Sequence, residues 1–472
     1  MTRWAPFSIE LGLLVLALIV FGATVIGRGP DRRRLGWVAA IGILVLLGAT
    51  FALGPMAPSL GGMFALDGLA IFAKRLFLAA TFIGVLAGLS STDDVFARRA
   101  GEYHLLLLGS LLGMCVLASS RDLILLFLAF ELMSIPLYVL AGFVKRDSGA
   151  VEAALKFFLV GSVSSAVMAY GLSFVYGAAG TTSLTGVAKV FATGQPWLGL
   201  GLLATFAGFA FKIAAFPFHM WVPDTYEAAS TPFVAWLSVA PKAAGFVALF
   251  RVYYEGTGDR VVAWVPIAAA LATFTMIAGN LMALPQQNTK RLLAYSGIAQ
   301  IGYMLVGFAA ASAAGTAMVL FYLVAYVFGN MGAFLVVEAV ARSEGSESIM
   351  AFRGLAQRSP LLALAMLLFL LSLGGIPFVA GFWAKLYVFW AAAASGLYWL
   401  VLVGAMLTVV ALFYYLLIAR WMYIEAPERT GRIPVAPTLA LSLILCVLGV
   451  VMLGLYPKPL VMAAMRVAAP LF

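Results

Sequence analysis

Apolar stretches long enough to cross a lipid bilayer recur along this chain from end to end. A helix needs about 20 residues to span a hydrocarbon layer of ~30 Å. About fourteen stretches approach or exceed that length, at residues 9–27, 35–54, 68–90, 104–120, 122–143, 150–176, 197–221, 232–254, 260–284, 291–311, 315–341, 359–393, 397–423 and 435–456. Charged residues make up only 10% of the chain, against about 25% in soluble proteins. The sequence predicts one all-α polytopic membrane domain, residues 1–472, with about fourteen transmembrane helices.

The net charge of +10 comes from loops on one side of the predicted membrane and does not indicate a nucleic-acid partner. Most Lys and Arg residues fall in loops on one side of the predicted spans, beginning with the arginine-rich loop 28–34. Loops rich in Lys and Arg are typically cytoplasmic. We therefore expect both termini on the opposite, periplasmic side, with the lipid bilayer as the surrounding solvent.

The chain offers few ligands for a redox metal. Its two cysteines, Cys115 and Cys446, fall within predicted spans and form no CxxC motif, and its two histidines are His104 and His219. We therefore expect no haem, iron–sulfur cluster or zinc site in this chain.

Two apolar stretches are each interrupted by a Pro-Phe pair beside a lysine. Residues 217–218 interrupt the seventh stretch just after Lys212, and residues 377–378 interrupt the twelfth just before Lys385. Discontinuous helices in corresponding positions of two halves point to a transport site. A lysine within hydrocarbon costs roughly 2.5–3.5 kcal/mol on insertion scales. The pattern therefore predicts cation transport, with the proton as the favoured ion.

Short sequence matches also recur at a nearly constant offset. The pattern Tyr-x-Leu-x-Gly-Phe occurs at 138–143 and again at 303–308, and the two Pro-Phe pairs have almost the same spacing. Five predicted spans separate equivalent positions, and an odd number reverses the second copy in the bilayer. We expect two inverted five-helix repeats, each with a broken helix. The first, with spans 4–8, would run from 104 to 254 and be broken in span 7. The second, with spans 9–13, would run from 260 to 423 and be broken in span 12.

Two charged residues are predicted near the middle of the membrane, and a third lies beside a helix break. Glu131 lies about nine residues into its span, a depth of about 14 Å, and Lys242 lies at a similar depth after Pro241. Lys212 precedes a proline that opens its helix. Each could be a structural group satisfied by its neighbours. The alternative that we favour is a titratable group, because intramembrane charge is costly and usually functional.

Other polar residues leave more alternatives open. Lys156 lies nearer the end of its span, where its ammonium could reach the interface. His219 could bond an opened carbonyl or relay protons. The depth of Lys385 cannot be counted, because it follows a break. Lys74 and Arg75, early in the third span, are expected to anchor at the interface.

Two polar segments have a structural and a functional interpretation. Residues 223–232 contain Asp224 and Glu227 but no basic residue, and could line a proton inlet or cap two helices. Ser296 and Gln300 on the tenth span could hold a file of waters or bond neighbouring helices. A row of lysines with one glutamate suits proton transfer better than Na⁺ binding, because Na⁺ prefers oxygen ligands.

Four runs of residues resemble the antiporter-like, proton-pumping membrane subunits of bacterial NADH–quinone oxidoreductase, respiratory complex I, and among them subunit N. The runs are residues 130–143, 152–165, 211–244 and 288–296, and the likeness follows nearly the whole chain in order. A lysine at position 385 is similar to subunit N rather than subunit M, which tends to carry glutamate there. Gln300 departs from the family, whose members often place histidine at that point.

The resemblance implies roles for the buried charges. Glu131 would pair with Lys212 of the broken seventh helix, and Lys156 of the sixth helix would lie between Lys212 and Lys242. Lys242 would be the central lysine of the eighth helix, and Lys385 would lie near a periplasmic half-channel. These residues would carry protons, with His219 near the first break.

The resemblance also implies a place in a larger assembly. The chain would be a subunit of a proton-pumping NADH:quinone oxidoreductase in the bacterial inner membrane, without electron transfer of its own. NAD, FMN, iron–sulfur clusters and quinone would belong to partner subunits. The direct partners would be the neighbouring antiporter-like subunit and the small membrane subunits. Two alternatives stay open: a subunit of a multi-subunit Na⁺/H⁺ antiporter, and a membrane scaffold whose buried charges only hold helices together.

Overall fold

The computed structural model describes residues 4–26, 33–90, 94–429 and 431–472. Within these ranges the chain is built from α-helices, with short 3₁₀ and π turns and no strands beyond isolated bridges. The helices are α1 Ser8–Ile26, α2 Arg34–Ala49, α3 Gly68–Leu89, α4 Asp94–Arg98, α5 Ala100–Ser119, α6 Leu123–Ala141, α7 Ser148–Ala179, α8 Leu184–Phe191, α9 Pro196–Ile213, α10 Trp221–Ala228, α11 Thr231–Leu237, α12 Ala240–Phe250, α13 Val265–Ala283, α14 Thr289–Ala309, α15 Ala313–Glu344, α16 Leu355–Arg358, α17 Pro360–Gly374, α18 Ala380–Ala394, α19 Tyr398–Tyr423, α20 Pro437–Leu455 and α21 Lys458–Ala468.

The helices confirm the predicted all-α polytopic fold. In the described ranges, 13 helical segments are long and apolar enough to cross a membrane, and Pro360–Gly374 is a shorter apolar helix. That shorter helix, α17, is followed by α18 after a gap, and together they form the interrupted twelfth span. The predicted set of fourteen stretches is therefore present, with the twelfth in two pieces.

The chain divides into two compact units. Unit 1 comprises residues 1–213, 240–262 and 470–472, and unit 2 comprises residues 214–239 and 263–469. Within unit 1, α5 packs on α6, α7 packs on α9, and α12 packs on α3 and α9. Within unit 2, α13 packs on α14, and α15 packs on α17, α18 and α20.

The longest helix of each unit has the same length and the same ends. Helix α7 has 32 residues, begins after a capping Asp147 and is followed by Gly180, whose φ is 65°. Helix α15 also has 32 residues, begins after a capping Ser312 and is followed by Gly345, whose φ is 69°. Glycine suits both ends because it adopts the left-handed conformation without steric penalty. The starts of the two helices are as far apart in the chain as the two Tyr-x-Leu-x-Gly-Phe patterns.

Backbone bridges recur at nearly the same offset. Asp122 bridges to Ser183 in unit 1, and Asn288 bridges to Ser348 in unit 2. The Asp122 and Asn288 side chains also cap the helices that follow them, α6 and α14. A local structure that recurs with its cap and its bridge supports a duplicated unit. The repeat bounds 104–254 and 260–423, and the inverted orientation, stay predictions.

Candidate functional site

The predicted break in the seventh span is present. Helix α9 ends at Ile213, and the next helix begins at Trp221. Ala214 has a positive φ of 65°, and the Phe216–Pro217 peptide bond is cis. Non-glycine residues with positive φ are uncommon and cluster at functional sites.

The predicted break in the twelfth span is also present. Helix α17 ends at Gly374, and α18 begins at Ala380. Between them Gly375 has a φ of 81° and Phe378 a φ of 74°. A Cβ atom on Gly375 would lie 2.9 Å from Cδ of Lys385. Glycine at this position therefore serves both the backbone conformation and the packing of the lysine.

Lys212 is held among aromatic rings in the last turn of α9. Its residue surface is 2% exposed, and its Nζ lies 5.1 Å from the ring centroid of Phe130 and 5.9 Å from that of Tyr138. Among the described residues Nζ has no hydrogen-bond partner. Aromatic faces attract a cation but provide no proton acceptor. The amine therefore lies in an apolar pocket of unit 1.

Glu131 lies near Lys212 but bonds a different group. Its Oε1 accepts a hydrogen bond from Oγ of Ser165 at 2.5 Å. Its charge acts on Lys212, although no direct ion pair joins the two side chains in the described part of the chain. The pairing that the resemblance implies is therefore an electrostatic interaction across a gap.

Lys242 is buried at the start of α12. The residue is 1% exposed, and every residue of α12 is buried. One turn further along, a Cβ on Gly245 would lie 2.6 Å from Cγ2 of Ile213 and 3.4 Å from Cγ of Lys212. The glycine thus allows α9 to approach α12, and this contact brings the Lys212 side chain within about one turn of Lys242 along α12.

Lys385 contacts the broken end of α17 in unit 2. Its Nζ donates a hydrogen bond to the carbonyl of Gly374 at 3.3 Å and lies 4.4 Å from the ring centroid of Tyr303. The last carbonyls of a helix have no partner within the helix. The break therefore supplies the acceptor that holds this buried ammonium.

Lys156 lies at the surface of unit 1, unlike the other candidate lysines. Its side chain is 49% exposed and pairs with Glu152 at 2.9 Å, which is itself 68% exposed. Lys156 lies on the open face of α7, next to the buried Phe157. The competing interpretation, in which its ammonium reaches the edge of the bundle, fits better.

His219 lies in the first break, where both of its interpretations had placed it. The residue is 4% exposed, its ring stacks on Phe216 at 5.5 Å, and it has a hydrogen bond to the backbone of Pro217. These contacts favour a buried imidazole that bonds an opened carbonyl over a proton relay.

The acidic stretch 223–232 is capped by a neighbouring helix. Nη1 of Arg291 donates to Oδ1 of Asp224 and to Oε2 of Glu227, each at 2.8 Å. Nζ of Lys290 donates to the carbonyl of Ala229 at 2.9 Å. These contacts favour the capping interpretation over a proton inlet.

Lys74 corrects the expectation of an interfacial anchor. The residue is 1% exposed, and its Nζ pairs with Oε1 of Glu10 at 2.7 Å. Helix α3 is covered on most sides, so a lysine early in the span cannot reach solvent. Arg75, next to it, is partly buried and donates to the carbonyl of Thr50 at 2.8 Å, and its place at the interface stays a prediction.

A family profile and full-length relatives agree with this geometry. Residues 120–411 match the family described as "NADH:quinone oxidoreductase/Mrp antiporter, TM". NADH-quinone oxidoreductase subunit N of Moorella thermoacetica is 42% identical over 98% of this chain and 97% of its own. The chain belongs to the NADH-quinone oxidoreductase subunit N family.

Solved structures place the family fold in two kinds of complex. A chain of respiratory complex I from Thermus thermophilus matches 97% of this chain and 99% of its own, with 32% identity and a TM-score of 0.82. A chain of the Mrp complex from Dietzia sp. has a TM-score of 0.89 but only 22% identity, which shows the shared fold alone. The subunit N relatives favour complex I over the antiporter alternative. The chain is therefore an antiporter-like, multi-pass membrane subunit of a multi-subunit NADH-quinone oxidoreductase.

Gln300 makes hydrogen bonds to side chains and backbone of other helices in unit 2. Its Nε2 donates to the carbonyl of Leu373 at 2.9 Å and to the Tyr415 hydroxyl at 3.1 Å. Its Oε1 accepts from the Tyr322 hydroxyl at 2.5 Å. The Ser296 hydroxyl lies 2.5 Å from that of Tyr415. The glutamine thus connects α14 to three other helices, α15, α17 and α19, through hydrogen bonds, as one of the two interpretations of this segment expected.

A further polar group beside Lys385 was not among the candidate residues. Nδ2 of Asn280 donates to the Tyr303 hydroxyl at 3.3 Å, and the Tyr414 hydroxyl donates to Oδ1 of Asn280 at 3.1 Å. Polar residues at positions 296, 300 and 303 share one face of α14, which was the available signal. The partners on α13 and α19 could not be paired with that face from sequence spacing.

The described residues contain no group of three or more His, Cys, Asp and Glu side chains that could hold a metal ion.

Proposed function

We propose that this subunit moves protons across the membrane through buried amines. The observation that carries the proposal is the burial of Lys212, Lys242 and Lys385, each at most 4% exposed inside apolar helices. Lys212 and Lys385 also lie at the two helix breaks. Intramembrane lysines are rare and mark ion pathways.

The electrostatics of unit 1 suit a transfer step driven by charge. The Glu131 carboxylate lies close enough to Lys212 for its charge to act on the amine. A proton that arrives at Glu131 then changes the balance between the charged and neutral amine of Lys212. In this proposal the proton then passes to Lys242, which lies about one turn along α12 from the contact between Gly245 and Lys212.

The remaining candidates take peripheral roles in the proposal. Lys156, half exposed beside Glu152, would exchange protons at the edge of the chain. His219 would hold the first break in shape through its bond to Pro217. In unit 2, Lys385 would pass protons toward the periplasmic side.

We further propose that electron transfer lies entirely outside this chain. NAD, FMN, iron–sulfur clusters and quinone would bind to partner subunits, and the chain would convert their signal into a proton step. The small number of metal-ligand side chains, two cysteines and two histidines in 472 residues, supports this proposal. The partners would be the neighbouring antiporter-like subunit and the small membrane subunits. The charge distribution of the loops supports a bacterial inner membrane location with both termini periplasmic.

Replacing the lysines singly tests the proton route. We expect complexes with Lys212→Ala or Lys242→Ala to assemble, and to lose proton uptake in proteoliposomes fed with NADH and quinone. Lys189→Ala, at an exposed lysine of α8, is the matched control and should pump normally. Full pumping by both buried-lysine variants would end the proposal, and loss of assembly in both would favour the scaffold alternative.

A purification tests the assignment to the complex. The tagged chain, isolated gently from native membranes, should carry NADH–quinone reductase activity together with flavin and iron. Recovery of hydrophobic subunits alone, active in Na⁺/H⁺ exchange, would instead support the antiporter alternative.

A further inference from the structure

A pocket lined by four cationic side chains lies in unit 1, between the start of α5 and the end of α6. Its volume is about 320 Å³, and its lining residues are Val95, Arg98, Arg99, Phe143, Lys145 and Arg146. That volume falls within the ~300–1,000 Å³ typical of ligand pockets. Two separate chain segments, 95–99 and 143–146, therefore bring four positive charges to one cavity.

No acidic side chain of the described residues pairs with these four cations. A second pocket of similar size, about 310 Å³, provides a contrast in unit 2. There Arg353 pairs with Glu428 at 2.6 Å, Arg358 pairs with Glu344 at 2.7 Å, and Arg429 lies 3.7 Å from Glu344. The three arginines of the unit 2 pocket thus face two carboxylates of its own lining, whereas the described lining of the unit 1 pocket has four cations and no carboxylate.

The cationic pocket has an apolar wall, and exposed apolar residues lie one and two turns earlier on α6. Phe143 lines the pocket and packs against Phe96 at 5.4 Å and Tyr103 at 5.5 Å. One turn before Phe143, Val139 is 50% exposed, and Ile135 is 56% exposed. A ligand with an anionic head and an apolar tail would match both surfaces, whereas a free anion would use only the first.

We propose that this pocket binds the headgroup phosphate of an anionic phospholipid, with an acyl chain along Val139 and Ile135. Arginine forks bind phosphate oxygens in pairs, and basic pockets between transmembrane helices bind anionic headgroups. The positive-inside pattern places the pocket at the predicted cytoplasmic ends of its helices. The proposal is independent of the proton route.

Lipid retention by the purified complex tests the site. The complex is stripped of lipid in neutral detergent and titrated with phosphatidylglycerol or phosphatidylcholine, and native mass spectrometry counts the lipids that stay on this chain. We expect the wild-type chain to prefer phosphatidylglycerol, and Arg98→Gln with Arg146→Gln to weaken that binding at least about tenfold. Phosphatidylcholine retention should not change.

The unit 2 pocket, whose arginines pair with glutamates, supplies the matched control. Arg353→Gln with Arg429→Gln removes the same number of cations from a cavity of similar size, and should leave phosphatidylglycerol retention at the wild-type value. Equal losses in both double variants would mean that only overall charge matters, and would overturn the site. Added salt should weaken binding by the wild-type chain, a readout that does not depend on any variant folding.

Two further measurements identify what the pocket binds. If inorganic phosphate displaces phosphatidylglycerol at equal concentration, the pocket is a phosphate site and the lipid proposal fails. If the double variant loses a partner subunit from the complex while its lipid retention is unchanged, the pocket binds an acidic protein segment and the proposal also fails. Unchanged retention with all four cations replaced by glutamine would overturn it outright.

Discussion

Arg251 and Asp67 form a two-pronged ion pair between the end of the eighth span and the start of the third. Nη1 of Arg251 lies 2.6 Å from Oδ2 of Asp67, and Nη2 lies 2.6 Å from Oδ1. Arg251 is fully buried and also bonds Glu255 and the carbonyl of Ala118. Such a paired fork is the strongest geometry available to arginine and carboxylate. Arg251 therefore connects the turn after α12 to the start of α3 and to α5.

We expect Asp67→Asn to destabilise the subunit. The amide keeps the shape of the side chain but removes one of the charges that balance Arg251. Because Glu255 still faces the guanidinium, the loss in unfolding free energy should stay below the about 3–5 kcal/mol of a fully unpaired buried charge. Thermal unfolding of the purified complex measures the effect. Asp147→Asn, at an exposed helix cap, is the control, and an equal effect there would contradict the prediction.

The same pair predicts a loss of stability in acid. Burial alone raises the pKa of Asp67, but the Arg251 charge and its hydrogen bond, with a further bond from the Ala70 amide, bring that pKa below its usual 3.8. A carboxyl with a lowered folded pKa stabilises the protein above its unfolded pKa, and this stability is lost as the pH falls through the folded value. We expect the unfolding temperature of the wild type, measured from about pH 6 to about pH 3, to fall more steeply than that of Asp67→Asn. Parallel curves would show that Asp67 does not contribute.

Depth along a span could be predicted from the sequence, but the direction of a side chain could not. Counting residues placed Lys242 deep in its span, and the proline break marked Lys212; both lysines are buried. The resemblance implied a place between them for Lys156, although its side chain lies on the open face of α7. Burial depends on which neighbours cover a helix, and these neighbours are distant in sequence. Lys74 shows the reverse case, because the covered sides of α3 bury a lysine expected at the interface.

The helix breaks and the repeat offset could be predicted because both depend on short runs of neighbouring residues. Proline cannot continue a helix, so positions 217 and 377 marked the two breaks. The contacts of Gln300 could not be predicted, since Tyr415 is 115 residues away and Leu373 is 73 residues away. Polar partners at such separations depend on how the helices pack.

We expect Gln300→Leu to weaken unit 2 without preventing assembly. The change leaves the Tyr322 hydroxyl, the Tyr415 hydroxyl and the Leu373 carbonyl short of a partner, and each unsatisfied buried group costs about 1–3 kcal/mol. The unfolding temperature of the purified complex should fall. Gln286→Leu is the control, because in the described structure the Gln286 side chain bonds only the carbonyl of Met282, in the last turn of the preceding helix α13. If the two variants have the same unfolding temperature, the three contacts of Gln300 contribute nothing to stability.

Gly375→Ala should impair proton pumping through Lys385. Gly375 has a φ of 81°, and the added methyl carbon would lie 2.9 Å from Cδ of Lys385. The lysine must then shift away from the Gly374 carbonyl that holds its ammonium. We expect the complex to assemble and to reduce quinone, with fewer protons taken up per NADH in proteoliposomes.

The control for Gly375→Ala separates backbone strain from displacement of the lysine. Gly396 has a nearly equal φ of 79°, but a Cβ there would meet open space. Gly396→Ala therefore introduces the same backbone strain, of about 1–3 kcal/mol, and leaves Lys385 in place. We expect this variant to lose stability but to keep its ratio of protons to NADH. If both alanine variants lowered that ratio equally, strain alone would explain the loss, and the contact between Gly375 and Lys385 would have no part in pumping.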